Sequence, residues 1–240
     1  ILKKFLNKPV FAMLIIIVAF EFLNGKFDNP LDWLVNTLMI LPAIVIGLSF
    51  HEFAHGAVSY LLGDPTPKMQ GRLTLNPKAH MDPVGFLALM FAGFGWGVPV
   101  QINPQYYKHK RLDEFMVALA GVTMNFFLAI VFAFIVKLLI ATTSQDFLSG
   151  NFGQVLIQVL MNVVAINLIL MIFNLIPVPP LDGFGLVTQI FNLRNTKFYY
   201  MVYDKGMIIL LLLIFLGITE KIITPCYSYL YQLIVNGIIL

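Results

Sequence analysis

The sequence predicts an all-α, polytopic membrane protein with five to six transmembrane helices, and three observations carry that prediction. Of 240 residues, 59% are hydrophobic and 11% are charged, whereas soluble domains carry about 25% charged residues. Long apolar segments recur along the chain with few ionisable groups inside them, as bilayer-spanning helices require. Lysine and arginine are distributed unevenly among the intervening segments, the asymmetry that orients such helices. The formal net charge is only +3, so no nucleic acid is expected as a partner, and the apolar composition makes the lipid bilayer the expected surroundings. A single cysteine, Cys226, excludes an intrachain disulfide.

The first apolar segment, residues 9–23, follows Lys3, Lys4 and Lys8 in the manner of a signal peptide. No small-residue cleavage site follows Leu23, so an uncleaved signal-anchor helix is expected. A chain that begins at Ile1 is also expected to lack its initiator residue. Residues 34–62, 112–140 and 152–176 read as further spans, and a fifth runs from 206 to about 218. The apolar tail 225–240, with tyrosines near its start, is a candidate short sixth span.

Residues 84–104 are apolar too, but Gly85, Gly93, Gly95, Gly97 and Pro99 disfavour a continuous helix there. A crossing would also put the loop holding Lys68, Arg72 and Lys78 opposite the one holding Lys108, Lys110 and Arg111, against the positive-inside rule. The expectation is a re-entrant or interfacial element with short β strands, between the second and third spans. Such backbone is tolerated at membrane depth only if it is buried in protein or lines a wet cavity.

With that choice, the basic residues before the first span, those between the second and third, and Arg194, Lys197 and Lys205 share one side. Lys26, Lys137 and Lys221 fall near the other. The N-terminus and the long loops are therefore expected in the cytosol. One membrane-embedded domain is expected across residues 1–240, with a core over about 34–193 and C-terminal helices over 206–240. No PDZ or nucleotide-sensing module is apparent.

Three ionisable side chains, His51, Glu52 and His55, stand inside the second span. Each costs about 2.5 to 3.5 kcal/mol at the bilayer centre on insertion scales, so three together point to a use. Residues four apart on a helix are rotated by about 400°, which lays His51 and His55 on one face, one turn apart. Two imidazoles so placed can hold one tetrahedral zinc, with Glu52 beside them to take a proton from water. The orientation above puts them in the inner half of the membrane.

A zinc held by two histidines needs a third protein ligand. Beyond His55 the only glutamates are Glu114 and Glu220. Asp182 is the better candidate: three prolines after Asn174 end a span and force an extended or turn backbone at matching depth. Taken alone, Asp182-Gly183 after Pro179-Pro180 also reads as an ordinary turn.

The chain resembles the site-2 protease family of intramembrane zinc metalloproteases. The resemblance rests on HEFAHG at 51–56 and FNLIPVPPLDG at 173–183. Two further stretches, GRLTLNPKAHMDPVG at 71–85 and GFGWGVPVQINP at 93–104, look like a bacterial subgroup in its minimal form, without PDZ or CBS domain. The resemblance implies that His51, His55 and Asp182 bind one Zn2+, that Glu52 is the catalytic base, and that Asn174 lies close to the reacting carbonyl. It implies regulated intramembrane proteolysis, the hydrolysis of peptide bonds in or near the transmembrane segments of membrane proteins, in a bacterial cell membrane. The family's third core helix begins with Ala-Gly-Pro; here Val122 follows Ala120-Gly121 in place of the proline.

Plainer roles stand beside these. Asn174 can simply cap or brace its helix, and Asn125 and Asn167 can join helices by hydrogen bonds. His80 and Asp82 form a His-x-Asp pair in a polar loop, where turn stabilisation competes with metal binding. Glu114 would be a ligand in another class of membrane metallopeptidase, but that class has an acidic residue four positions on, where this chain has Ala118. Lys137 reads as a snorkelling residue. The competing functions are a metal-handling permease and an inactive scaffold of the same fold. A transport path would spread its ionisable groups across the membrane, and an inactive relative would lack one of the four key residues.

Overall fold

A computed structural model describes residues 8–92 and 95–240. Lys3, Lys4 and Gly93 lie outside them. Helix α1 (Lys8–Leu23) and α2 (Pro30–Leu61) open the fold. A loop carrying the short α3 (Thr66–Met69) leads to α4 (Pro83–Ala92), and an extended segment leads on to α5 (Lys110–Thr142). The short α6 (Gln145–Ser149) precedes α7 (Asn151–Asn174), and α8 (Asp182–Ile190), α9 (Lys197–Phe215) and α10 (Ile218–Ile234) complete the chain. Among the described residues, α2, α5, α7, α9 and the 218–239 stretch are long and apolar enough to cross a membrane. This is a multi-pass, all-α membrane protein.

Helices α2, α5 and α7 pack closely on one another and form the core. Small residues let them approach: Ala43, Gly47, Ser49, Ala54 and Gly56 are buried on α2, and Gly121, Ala129 and Ala133 on α5. At Gly47 a Cβ would lie 2.6 Å from Leu170 Cδ1 on α7. Polar bonds then fix the register. Asn125 Nδ2 donates to Gly47 O at 3.2 Å and to Asn167 Oδ1 at 2.9 Å, and Asn162 Nδ2 donates to Met39 O at 3.1 Å. The expected helix-joining role of Asn125 and Asn167 is therefore present in the fold.

Two differences from the sequence expectation have physical causes. The fifth apolar helix begins at Lys197 rather than 206, because Thr196 Oγ1 accepts the Tyr199 N–H and starts it there. It ends at Phe215, and the chain turns two residues on at Gly217, whose φ of +67° only glycine adopts at no cost. The tail is consequently one helix from Ile218, with Pro225 inside it rather than at its start, continued by a π turn over Val235–Ile239. Lys137 Nζ donates to Ile238 O at 2.7 Å, so this side chain secures the last turn of the tail.

The 84–104 segment is half helical. Asp82 Oδ1 accepts the Gly85 N–H at 2.8 Å and starts α4; the remaining glycines cluster after Ala92 and leave the helix free to form. Beyond it the chain doubles back. A Cβ at Gly85 would sit 2.1 Å from Trp96 O, and one at Gly95 would sit 2.2 Å from Gly85 O, so backbone lies directly on backbone. Among the described residues, the expected strands reduce to an isolated Met81–Gly97 antiparallel bridge, beside a Val98 N–H to His80 O bond of 2.7 Å.

Asp64 ties the end of α2 to the approach of α5. Its Oδ2 accepts from Ser59 Oγ at 2.9 Å and from Asn103 N–H at 2.7 Å, and its Oδ1 accepts from Thr66 N–H at 2.9 Å. Tyr107 OH completes the group on Ser59 Oγ at 2.7 Å. Burial pushes the Asp64 carboxyl up, but the bonds from Thr66, Asn103 and Ser59 hold it below the usual carboxylate range. Its stabilising contribution is therefore complete above the unfolded value of about 3.9 and is lost as pH falls through the lower folded value. Asp64→Asn is expected to lower stability by about 2 kcal/mol at neutral pH and to flatten the loss of stability in acid. Thermal unfolding of the purified protein over a pH series checks both.

Candidate metal centre

Glu52 and the two histidines stand on α2 within three turns of its C-terminal end, and the helix delivers the side-by-side arrangement that the i, i+4 spacing predicts. The His51 and His55 rings meet edge to face, with Nε2 atoms 3.0 Å apart. Asp182 arrives from far along the chain. Helix α7 ends at Asn174, the proline-rich turn follows, and Asp182 is the first residue of α8, where an acidic side chain suits the helix dipole. Gly183 makes the turn possible, since a Cβ there would lie 2.3 Å from Leu175 O. Asp182 Oδ2 lies 3.2 Å from Nε2 of both histidines.

The hydrogen bonds behind the rings determine what these three atoms present to one another. Asn167 Nδ2 donates to Val163 O, which leaves Asn167 Oδ1 to accept from Asn125 Nδ2. Asn125 Oδ1 is then an acceptor, and His51 Nδ1, 2.7 Å away, must carry its proton. His55 Nδ1 faces the Val117 carbonyl at 2.7 Å and must do the same. Both Nε2 atoms therefore turn lone pairs inward, onto a carboxylate oxygen that is buried and receives no hydrogen bond. Three electron-pair donors facing one another need a cation between them. Their 3.0 to 3.2 Å separations are close to the edge, about 3.3 Å, of a tetrahedron with bonds of about 2.0 Å to zinc. The donor set fits zinc, and the partners behind the rings are of the kind that orient metal-ligating histidines.

These atoms open into a cavity of about 330 Å3 that also takes in Glu52, Asn174, Glu114 and Tyr199. Glu52 is half-buried, and its Oε2 accepts the Val100 N–H at 2.8 Å. Asn174 lines the cavity while one amide hydrogen of its Nδ2 is given to Leu170 O at 2.9 Å. Glu114 stands apart from the three donors, paired with Arg194 and accepting from Gln189 Nε2 at 2.7 Å. His80 and Asp82 are not brought to the site. His80 Nε2 bonds Thr74 O at 2.7 Å and Asp82 caps α4.

Sequence reasoning missed three contributors. Asn125 sets the His51 tautomer as well as joining helices, and the Val117 carbonyl does the same for His55. Gly121 is the third: a Cβ there would lie 2.5 Å from both His51 Cε1 and His55 Nε2, so the rings rest on its open face. The signals available in the sequence were the apolar setting of Asn125 and the Ala120-Gly121 that resembles the start of the family's third core helix.

A family model described as peptidase family M50 matches residues 39–213. Among curated proteins, the chain is 34% identical over 204 residues to "Putative zinc metalloprotease YwhC" of Bacillus subtilis, covering 83% of this chain and 89% of that protein. It is 28% identical over 173 residues to "Putative zinc metalloprotease Rip2" of Mycobacterium tuberculosis, covering 70% of this chain and 62% of that one. The protein of the same name from Mycolicibacterium smegmatis is 24% identical over 214 residues. No solved structure matches.

Two substitutions outside the donor set probe this geometry. Gly121→Ala is expected to push the rings apart and abolish tight metal binding, because its methyl group would overlap both. Asn125→Ala is expected to weaken zinc affinity by about tenfold to a hundredfold. Chelator competition with metal analysis measures both; wild-type zinc retention in Gly121→Ala would contradict the packing described.

Proposed function

The chain belongs to peptidase family M50, the site-2 protease family, and from that premise we propose that it is an intramembrane zinc metalloendopeptidase acting on transmembrane segments of other membrane proteins. One observation carries the reading: His51, His55 and Asp182 turn three lone pairs on one point, with the Glu52 carboxylate in the same cavity. We assign His51, His55 and Asp182 as ligands of one Zn2+ per chain and Glu52 as the catalytic base. Bound there, zinc would acidify a water molecule and polarise the carbonyl of the bond to be cut.

The chain's own groups supply the rest. Glu52 takes the proton as water oxygen bonds to the carbonyl carbon, then gives it to the leaving nitrogen as the C–N bond breaks. The Val100 N–H holds the carboxylate by one oxygen and leaves the other for that transfer. Asn174 has a second amide hydrogen, free of Leu170, to offer the carbonyl oxygen as negative charge develops there. The polar residues of the cavity, Glu114, Gln189 and Arg194, give water a route in.

A transmembrane helix hides its amides, so the substrate must unwind locally before attack. The basic residues of the loops support a cytosolic N-terminus and a cavity that opens to the cytosolic side of a bacterial cell membrane. The whole chain works as one membrane domain in this reading. A metal-handling permease is not favoured, because the ionisable groups gather around one cavity rather than along a path.

Glu52→Gln is expected to keep its zinc and to lose cleavage of a co-expressed single-span membrane protein by at least about a hundredfold. His51→Ala and Asp182→Ala are expected to lose the metal as well. Metal analysis beside an immunoblot of the substrate separates the cases. Persistent cleavage by Glu52→Gln would remove the base assignment.

A further inference from the structure

Arg72 lies in the loop after α2 and is nearly buried, at 9% exposure. Its guanidinium donates through one nitrogen to Ala79 O and through another to Val98 O. It thus bridges two backbone segments that already meet through the Val98 N–H to His80 O bond and the Met81–Gly97 bridge. Two residues beyond Val98, the Val100 N–H reaches Glu52 Oε2. The ground beneath is close-packed: a Cβ at Gly56, one turn beyond Glu52 on α2, would meet Leu73, Pro67 and Val100 at 3.2, 3.4 and 3.5 Å. Burial lowers Arg72 from its ordinary value, and the negative charge of Glu52 opposes that shift.

We propose that Arg72 is a positioning residue: by stapling the backbone at Ala79 to that at Val98, it sets the Val100 N–H where it orients Glu52. This rests on Glu52 being the base. The planar fork is what the task requires, since one guanidinium gives two carbonyls in different directions a donor each. A lysine in its place keeps the charge but is a point donor on a flexible stem. Without the staple, the segment from 97 to 100 keeps the Val98 N–H bond, the Met81–Gly97 bridge and the packing on Gly56, but loses the tie at the Val98 carbonyl. Glu52 then loses its fixed partner and samples orientations in which its free oxygen does not face the water.

The test uses the full-length protein in liposomes with Arg72→Gln and Arg72→Lys. The probe is a fluorophore-labelled single-span peptide of leucine and alanine with a central Gly-Gly pair. Three readouts are taken: zinc content, kcat and KM on the probe, and hydrogen exchange of the 98–102 amides. Both variants are expected to keep zinc and a KM within about twofold of wild type. Their kcat is expected to fall by about tenfold to a hundredfold, the scale of a misplaced catalytic group. Exchange at Val98 and Val100 is expected to quicken by about tenfold, with the Val100 bond loosened. Unchanged exchange at Val100 in Arg72→Gln, or Arg72→Lys with wild-type kcat and exchange, overturns the proposal. If wild type and Glu52→Gln act alike on the probe, the protease reading fails instead, and the exchange measurement still decides whether Arg72 holds Val100.

Discussion

Three lone pairs pointed at one another are the constraint on which this molecule turns. Left to themselves, the two imidazole nitrogens and the Asp182 oxygen repel, and the chain holds them within 3.2 Å only by fixing each from behind. The histidines are fixed through their far nitrogens, by Asn125 and by the Val117 carbonyl. The aspartate is fixed by the helix it begins. Arg111, at the start of α5, donates to the Gln189 and Ile190 carbonyls at the other end of that helix. The cost of bringing these atoms together is thus met by the packing of α2, α5, α7 and α8, and a cation converts that cost into binding free energy.

Seen this way, the core helices and the site are one arrangement. The hydrogen-bond chain from Val163 through Asn167 and Asn125 to His51 crosses from α7 to α5 to α2, and each amide is oriented by the one before it. A shift of any of the three helices by one turn would break the chain and free the His51 tautomer. In an apolar interior such bonds have few competitors, and they set register where hydrophobic burial cannot, because lipid is as apolar as the helix faces.

How much of this was legible in the sequence depends on the kind of signal. His51 and His55 were readable because the i, i+4 spacing is itself geometry, and charge inside an apolar run has few innocent explanations. Asp182 was readable because prolines end α7 at a definite place, although the meeting with α2 rested on topology and resemblance. Asn125 was visible only as a polar residue in an apolar helix, which fits helix joining as well as ring orientation. The Val117 carbonyl left no trace, since every residue has one. Arg72 looked like another basic loop residue, and its burial comes from contacts with Ala79 and Val98 that no local pattern encodes. The glycines of 84–104 were read as helix breakers throughout, whereas several serve to let backbone touch backbone where the segment turns back on itself.

Gly121 bears on which ions the site would accept. With the imidazoles seated against the α5 backbone, the donor triangle cannot expand on that side. Calcium, with bonds of about 2.3 to 2.6 Å and six to eight oxygens, would have to spread the rings and recruit oxygens beyond the three donors. Discrimination against large, oxygen-loving ions would therefore originate in one absent methyl group on a neighbouring helix, and the identity of the liganding atoms would be only part of the cause.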